Sequence, residues 1–314
     1  MTAAAIRVVF MGSPEFAVPS LRALAAAGHA VVLSVSQPDK PAGRGGRMQP
    51  PPVKVAAEAL GIEVFQPETL RDAAVQERLR AADADVFVVA AYGKILPQAV
   101  LDIPRRGCLN VHASLLPKWR GPSPIVASIL AGEPETGVSI MELVRKMDAG
   151  PVISRITAPV LPDDSALTLE PRLAALGAEE LVRVLPGWLA GDLKSEPQDE
   201  GAVTYCHLIA KHDGWLRAEM TAVAAERAVR AYNPWPGAFV MYGEHRLSVW
   251  KSRVVEGEAA SAGTLAVIEK SPAVAFSEGW LALEEVQRPG GKRLTAQQFL
   301  AGERGQLLPE AGLG

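Results

Sequence analysis

The chain has 314 residues, 48% hydrophobic and 21% charged, with a formal net charge of −3, a length that predicts about two domains. Its 28 glycines and 25 prolines follow no period, which excludes a collagen-like or low-complexity chain. No apolar run approaches the ~18 residues a spanning helix needs, and the two cysteines, Cys108 and Cys206, supply neither a disulfide framework nor a metal cluster. Arg7 interrupts the N-terminal apolar stretch, which runs into Gly12-Ser13-Pro14, a strand-to-helix turn rather than a cleavage site. The expectation is a cytoplasmic protein in a reducing compartment, with no membrane contact.

In chain order, Ile6–Met11 reads as a buried strand. Ser13 and Pro14 read as the N-cap and first turn of a helix through Ala27. A second strand, Ala30–Ser36, leads into a loop from Lys40 to Lys54 with Lys40, Arg44, Arg47 and Lys54, no acid, and many glycines and prolines. Val53–Leu60 is expected to be helical, Glu63–Gln66 a short strand, Arg71–Ala81 a helix and Val86–Ala90 a fully apolar strand. Cys108–His112, Gly137–Leu143 and Val152–Thr157 read as strands, Pro124–Ala131 as a helix, and Leu167–Leu189 as a long helix with a break at Pro186. Alternating strands and helices predict an α/β, Rossmann-like, mostly parallel sheet covered on both faces. Gly191–Gly201 is polar and reads as a linker. After it come a helix, Thr221–Tyr232, and strand-like runs at Ala238–Tyr242, Leu247–Trp250, Thr264–Ile268, Ala273–Phe276 and Trp280–Val286, which predict a smaller, OB-like β-barrel. The expected division is 1–190 catalytic, 191–204 linker and 205–314 C-terminal.

The turn after the first strand has one glycine where a dinucleotide fingerprint needs three, and Gly43–Gly46 lacks the Gly-Lys-Ser/Thr ending of a P-loop. Asn110-Val111-His112 is more informative. Residues i and i+2 of a strand share a face, so Asn110 and His112 point together at the carboxyl end, where open α/β sheets bind ligands. The Pro-punctuated segment Ala113–Pro124 follows directly, as expected of a loop that shapes a pocket. From the residues alone, Asn110 can equally be an edge-capping amide and His112 a satisfied core residue.

Asn110-Val111-His112-x-Ser-Leu-Leu-Pro, followed by Trp119-Arg120-Gly121 and Pro124-Ile125, resembles the signature of enzymes that transfer a formyl group from 10-formyltetrahydrofolate. Gln37–Gly45 resembles the loop of the branch that formylates methionyl-tRNA, and Tyr92-Gly93-x-Ile95-Leu96-Pro97 and Arg230–Pro236 match the same family. By this resemblance Asn110, His112 and Asp148 are catalytic, although Met147-Asp148-Ala149-Gly150-Pro151 replaces the commoner Leu-Asp-Thr-Gly-Asp. Read without it, Asp148 is a turn former before Gly150.

The implied reaction is attack by the α-amine of methionine, esterified to initiator tRNA, on the formyl carbon of the folate. Such an amine titrates near 8, so positioning and oxyanion stabilisation matter more than a strong base. Asn110 and His112 would serve the oxyanion, and Asp148 would orient His112 or relay the amine proton through water. Ser114, Leu115, Leu116 and Pro117 are expected to wall the folate. Lys40, Arg44 and Arg47 are expected to contact tRNA from a loop that orders on binding. The five histidines show no ligand spacing, so no metal is expected. Residues 205–314 carry 12 basic and 12 acidic side chains, so any tRNA contact there uses one face. The expected state is a monomer. Formyl transfer to an amino-sugar nucleotide, the single-domain glycinamide ribonucleotide branch, and a non-catalytic folate-binding module are the alternatives. The basic loop, the extra C-terminal domain and the complete Asn–His–Asp set respectively argue against them.

Overall fold

A computed structural model describes residues 5–42, 46–304 and 307–314. Up to residue 190 the chain forms β1 (Arg7–Gly12), α1 (Val18–Ala26), β2 (Ala30–Val35), β3 (Lys40–Ala42), β4 (Arg47–Gln49), α2 (Pro52–Ala59), β5 (Val64–Phe65), α3 (Ala73–Ala81), β6 (Val86–Ala90), α4 (Gln98–Leu101), β7 (Cys108–His112), α5 (Pro124–Ala131), β8 (Glu135–Glu142), β9 (Val152–Pro159) and α6 (Ala166–Ala190). The seven-stranded sheet has the order β5-β2-β1-β6-β7-β8-β9. Its first five strands are parallel, β8 runs antiparallel to β7, and β9, antiparallel to β8, returns to the direction of the first five. β6 is buried along its whole length, as an all-apolar central strand requires.

Two compact units are defined by contacts. The first holds the chain up to Pro124, with Glu135–Pro159 and Glu170–Cys206. The second holds Ile125–Pro134, Val160–Leu169 and His207–Gly314. α5 therefore packs with the second unit, where Val126 and Leu130 lie against its core.

Three local expectations are corrected. Pro14, not Ser13, is the N-cap, ahead of a 3-10 turn at Glu15–Ala17. Ser13 Oγ instead accepts from the Gln37 amide at 3.1 Å and donates to Tyr92 O at 3.3 Å, because the carboxyl ends of three neighbouring strands need partners there. α6 continues through Pro186, since the fully buried Leu181, Val184 and Leu185 anchor that turn despite the lost backbone bond. The basic loop contains a two-stranded ribbon, β3 against β4.

In the second unit, Thr221 caps α7 (Ala222–Tyr232) by accepting from Ala224 N at 3.1 Å. The strands β10 (Phe239–Tyr242), β11 (His245–Val255), β12 (Leu265–Ile268), β13 (Ser271–Ala275) and β14 (Trp280–Gln287) follow. Then come β15 (Arg293–Thr295), α8 (Ala296–Gly302) and β16 (Ala311–Gly312). The sheet order is β12-β13-β14-β11-β10-β16, with β15 on β14. Ala311 pairs with Tyr242 on β10, while Ala311 N donates to Gly263 O at 2.7 Å and Leu265 N to Pro309 O at 2.9 Å. One terminal segment thus bonds to both edges of the sheet, which leaves fewer open edge groups. The OB-like expectation is consistent with this closure.

Candidate active site

β7 places the Asn–His pair. Val111 faces α6, where Gly177 permits close approach: a Cβ there would meet Val111 Cγ1 at 2.8 Å and Val138 Cγ1 at 3.1 Å. Strand alternation turns Asn110 and His112 to the opposite face. His112 is 5% exposed and Asn110 half-buried. His112 Nε2 lies 3.1 Å from Trp119 O, and a carbonyl can only accept, so that nitrogen carries the hydrogen. Nδ1 is then the nitrogen free to gain or lose a proton, and it lies 3.9 Å from Asp148 Oδ2.

Asp148 arrives by an indirect route. β8 is antiparallel to β7, with Leu109 opposite Glu142 and His112 opposite Ser139. The loop after β8 therefore begins at the amino-terminal end of β7 and must double back to reach His112. Gly150 allows the reversal, because a Cβ there would meet Glu142 O at 1.8 Å. Glu142 N donates to Pro151 O at 2.9 Å, closing the turn. Asp148 itself sits at φ +47, in the left-handed region that costs most residues about 1 kcal/mol or more but suits aspartate better. Its Oδ2 accepts from Gly121 N at 2.8 Å.

The segment expected to wall the folate is largely committed to the fold. Ser114 Oγ donates to Lys118 O at 2.6 Å, and Ser139 Oγ donates to Ser114 O at 2.7 Å. Leu116 is 1% exposed and packs with Met141 and Val152. Its amide donates to Ser139 Oγ at 3.0 Å, and its carbonyl accepts from Arg155 Nε at 2.7 Å. The Leu116 side chain is thus packed into the core, and both of its backbone groups are bonded within the fold. Leu115 and Pro117 remain partly accessible.

The basic segment is also less free than its composition predicts. Asp39, one residue outside the acid-free run, binds Lys54 Nζ at 2.9 Å. Hydrogen bonds from Gln66 and then Lys54 hold its carboxyl below the usual carboxylate range. Lys40 Nζ donates to Gln37 Oε1, whereas Arg47 on β4 is exposed. Arg44 lies outside the described residues.

The residues missed from the sequence lie in the supposed linker. Glu196 exchanges two 2.8 Å backbone bonds with Val152. Gln198 Nε2 donates to Asp148 O at 2.8 Å and to Gly150 O at 2.7 Å. Arg120, fully buried, donates from Nε to Gln198 Oε1 at 3.0 Å and from a terminal nitrogen to Glu200 Oε1 at 2.8 Å. Arg120 and then Lys146 hold the Glu200 carboxyl down at about 2. Trp119 N donates to Thr204 Oγ1 at 2.9 Å. Low apolar content concealed all of this, because these residues act through hydrogen bonds rather than buried area. Among the described residues, no cluster of three or more His, Cys, Asp or Glu could hold a metal. No described helix is long and apolar enough to cross a membrane.

An asparagine, a histidine and a returning aspartate at the carboxyl end of a parallel strand form a site suited to acyl-type group transfer. Family models agree. The formyl transferase model matches residues 6–185, and the formyl transferase C-terminal domain model matches residues 208–304. The chain belongs to the formyl transferase family. It is 47% identical over 297 residues to the methionyl-tRNA formyltransferase of Dechloromonas aromatica, covering 95% of this chain and 96% of that one. Among solved structures, it resembles an N-formyltransferase of Helicobacter canadensis crystallised with folinic acid and dTDP-3-aminofucose. The TM-score is 0.67 at 16% identity, covering 88% of this chain and 99% of that chain. It also resembles HypX of Aquifex aeolicus, with TM-score 0.65 at 16% identity over 98% of this chain, and spans about half of that protein's length (49%).

Proposed function

We propose that this protein transfers the formyl group of 10-formyltetrahydrofolate to the α-amine of methionyl initiator tRNA, giving the formylated tRNA used to initiate translation. Whole-length similarity to methionyl-tRNA formyltransferases supports the substrate. The observation that carries the chemistry is Asp148 Oδ2 at 3.9 Å from the free nitrogen of His112, beside Asn110 on the same strand face.

The neutral amine attacks the formyl carbon, forming the new C–N bond and a tetrahedral oxyanion. Asn110 donates its amide hydrogen to that oxygen. His112, held in orientation by the Trp119 carbonyl, acts as the imidazolium, with Nε2–H on that carbonyl and Nδ1–H as the second donor. Asp148 balances the charge on the ring and receives or relays the amine proton, which leaves on folate N10 as the bond from that nitrogen to the formyl carbon breaks. Leu115 and Pro117 contribute the accessible surface toward the folate, while Ser114 and Leu116 hold that segment in shape. Lys40, Arg44 and Arg47 meet the tRNA backbone. Residues 1–190 supply the chemistry, the 191–204 segment supports it, and the C-terminal 205–314 region grips the tRNA with one face. The protein works as a cytoplasmic monomer, without a metal.

The test supplies labelled 10-formyltetrahydrofolate with Met-tRNA or with a nucleotide-linked amino sugar. Transfer to Met-tRNA alone is expected, and Arg47→Ala should weaken it more at low salt than at high salt. Transfer to the sugar alone would overturn the reading.

A further inference from the structure

Asp148 and Trp119, which set the two sides of His112, both lie in the left-handed backbone region, at φ +47 and +61. Local preference alone does not hold either shape, because L-residues largely avoid this region, tryptophan more than aspartate. Something outside the loops must hold both, and one side chain touches both systems. Gln198, 8% exposed, spends both amide hydrogens on carbonyls flanking the Asp148 turn, Asp148 O at 2.8 Å and Gly150 O at 2.7 Å. Its single carbonyl accepts from Arg120 Nε at 3.0 Å. Arg120 follows Trp119 directly, and the next amide, Gly121 N, holds the Asp148 carboxylate at 2.8 Å. The contacts form a closed ring: Arg120 side chain, Gln198, the Asp148 backbone, the Asp148 carboxylate, the Gly121 amide.

From this ring we infer that Gln198 is a positioning residue that sets the Asp148 carboxylate against His112 Nδ1, with the buried Arg120 fixing Gln198. The inference rests on the reading of His112 and Asp148 as the reacting pair. Glutamine suits the task because it presents two donors and an acceptor in one plane. Glutamate keeps the acceptor for Arg120 and loses both donors, and methionine keeps the volume and loses everything polar. An error of about 1 Å at a catalytic group costs on the order of 100-fold in rate.

The experiment compares Q198M and Q198E with the wild type in the full-length protein. Turnover should fall about 10- to 100-fold, with KM for folate and Met-tRNA changed less than about twofold and with far-UV circular dichroism unchanged. In a D148A background, Q198M should cost less than about a further twofold, because groups acting as a unit are not additive. The second readout needs no acceptor. The 15N signals of the His112 ring, assigned by their loss in H112A, should move in Q198M toward their positions in D148A.

Wild-type turnover in both folded variants, full multiplication of the two losses, or unperturbed His112 signals would each overturn the positioning role. If Q198M does not fold, Q198E carries the same tests, since its contact with Arg120 persists. A wild-type protein that formylates no tRNA overturns the functional reading instead, and the ring signals still decide whether Gln198 sets Asp148.

Discussion

Replacing Gly150 by alanine tests the geometry of the site through one methyl group. The new Cβ would stand 1.8 Å from Glu142 O, where real contacts do not fall below 3.0 Å. The obstacle is a backbone carbonyl on the sheet, so the loop must yield by about 1.2 Å or more. Asp148 lies two residues earlier in the same turn, 3.9 Å from His112 Nδ1, and inherits most of that displacement. A 1 Å misplacement costs about 100-fold, so turnover should fall by roughly that factor. The shift also strains the bonds from Gln198 Nε2 to Gly150 O and from Glu142 N to Pro151 O, at 2.7 and 2.9 Å. At about 0.5–1.5 kcal/mol each, their loss removes roughly 2 kcal/mol, or about 4–8 °C in Tm for a unit of this size. Steady-state formyl transfer and a thermal melt read both effects. Gly302→Ala is the control, since a Cβ there meets nothing within 4 Å. Wild-type kcat and Tm in Gly150→Ala would refute the account of how the loop is held.

Alanine at Asn110, His112 or Asp148 should lower turnover by about 100-fold or more while far-UV circular dichroism stays unchanged, and a fully active His112→Ala enzyme would sink the mechanism. Burial pushes the Cys108 thiol up to about 12 and raises that of Cys206 as well, so little thiolate exists at pH 8 and alkylation should be slow until denaturant is added. Rapid labelling of native Cys108 would contradict its place in the core. Glu200 titrates at about 2 against an ordinary 4.5, so its ion pairs stabilise the fold above about pH 4.5, and that contribution is lost as pH falls toward 2. Urea unfolding of Glu200→Gln and wild type should therefore differ at neutral pH, converge in acid, and differ less in high salt.

Much of the architecture was legible because it is written in local periodicity. β6, β7 and α5 have the limits expected from the chain, since an all-apolar pentad and a glycine after a helix need no distant partner to be recognised. β15 and β16 were not legible, because strands of three and two residues carry no periodicity and exist only through their neighbours. α8 begins at the Thr295–Gln298 capping box, a start signal contiguous in the chain. Leu116, an apolar residue beside the strand bearing Asn110 and His112, carries no local sign of which neighbours it meets. Its packing against Met141 and Val152 exists only in the folded chain.

The chain by itself determined the class of fold and the strand bearing Asn110 and His112, while Asp148 was singled out only by the resemblance to formyl-transferring enzymes. Those follow from side-chain period and from motifs contiguous in sequence. Tertiary structure alone decided that β8 runs antiparallel and its loop must turn back, that Arg120 is buried, and that Gln198, 50 residues from Asp148, bonds to the backbone of the turn that carries it. Hydrophobic patterning encodes which face of an element is buried. Hydrogen bonds between distant polar residues leave no pattern in the sequence, because each depends on where two separate segments meet.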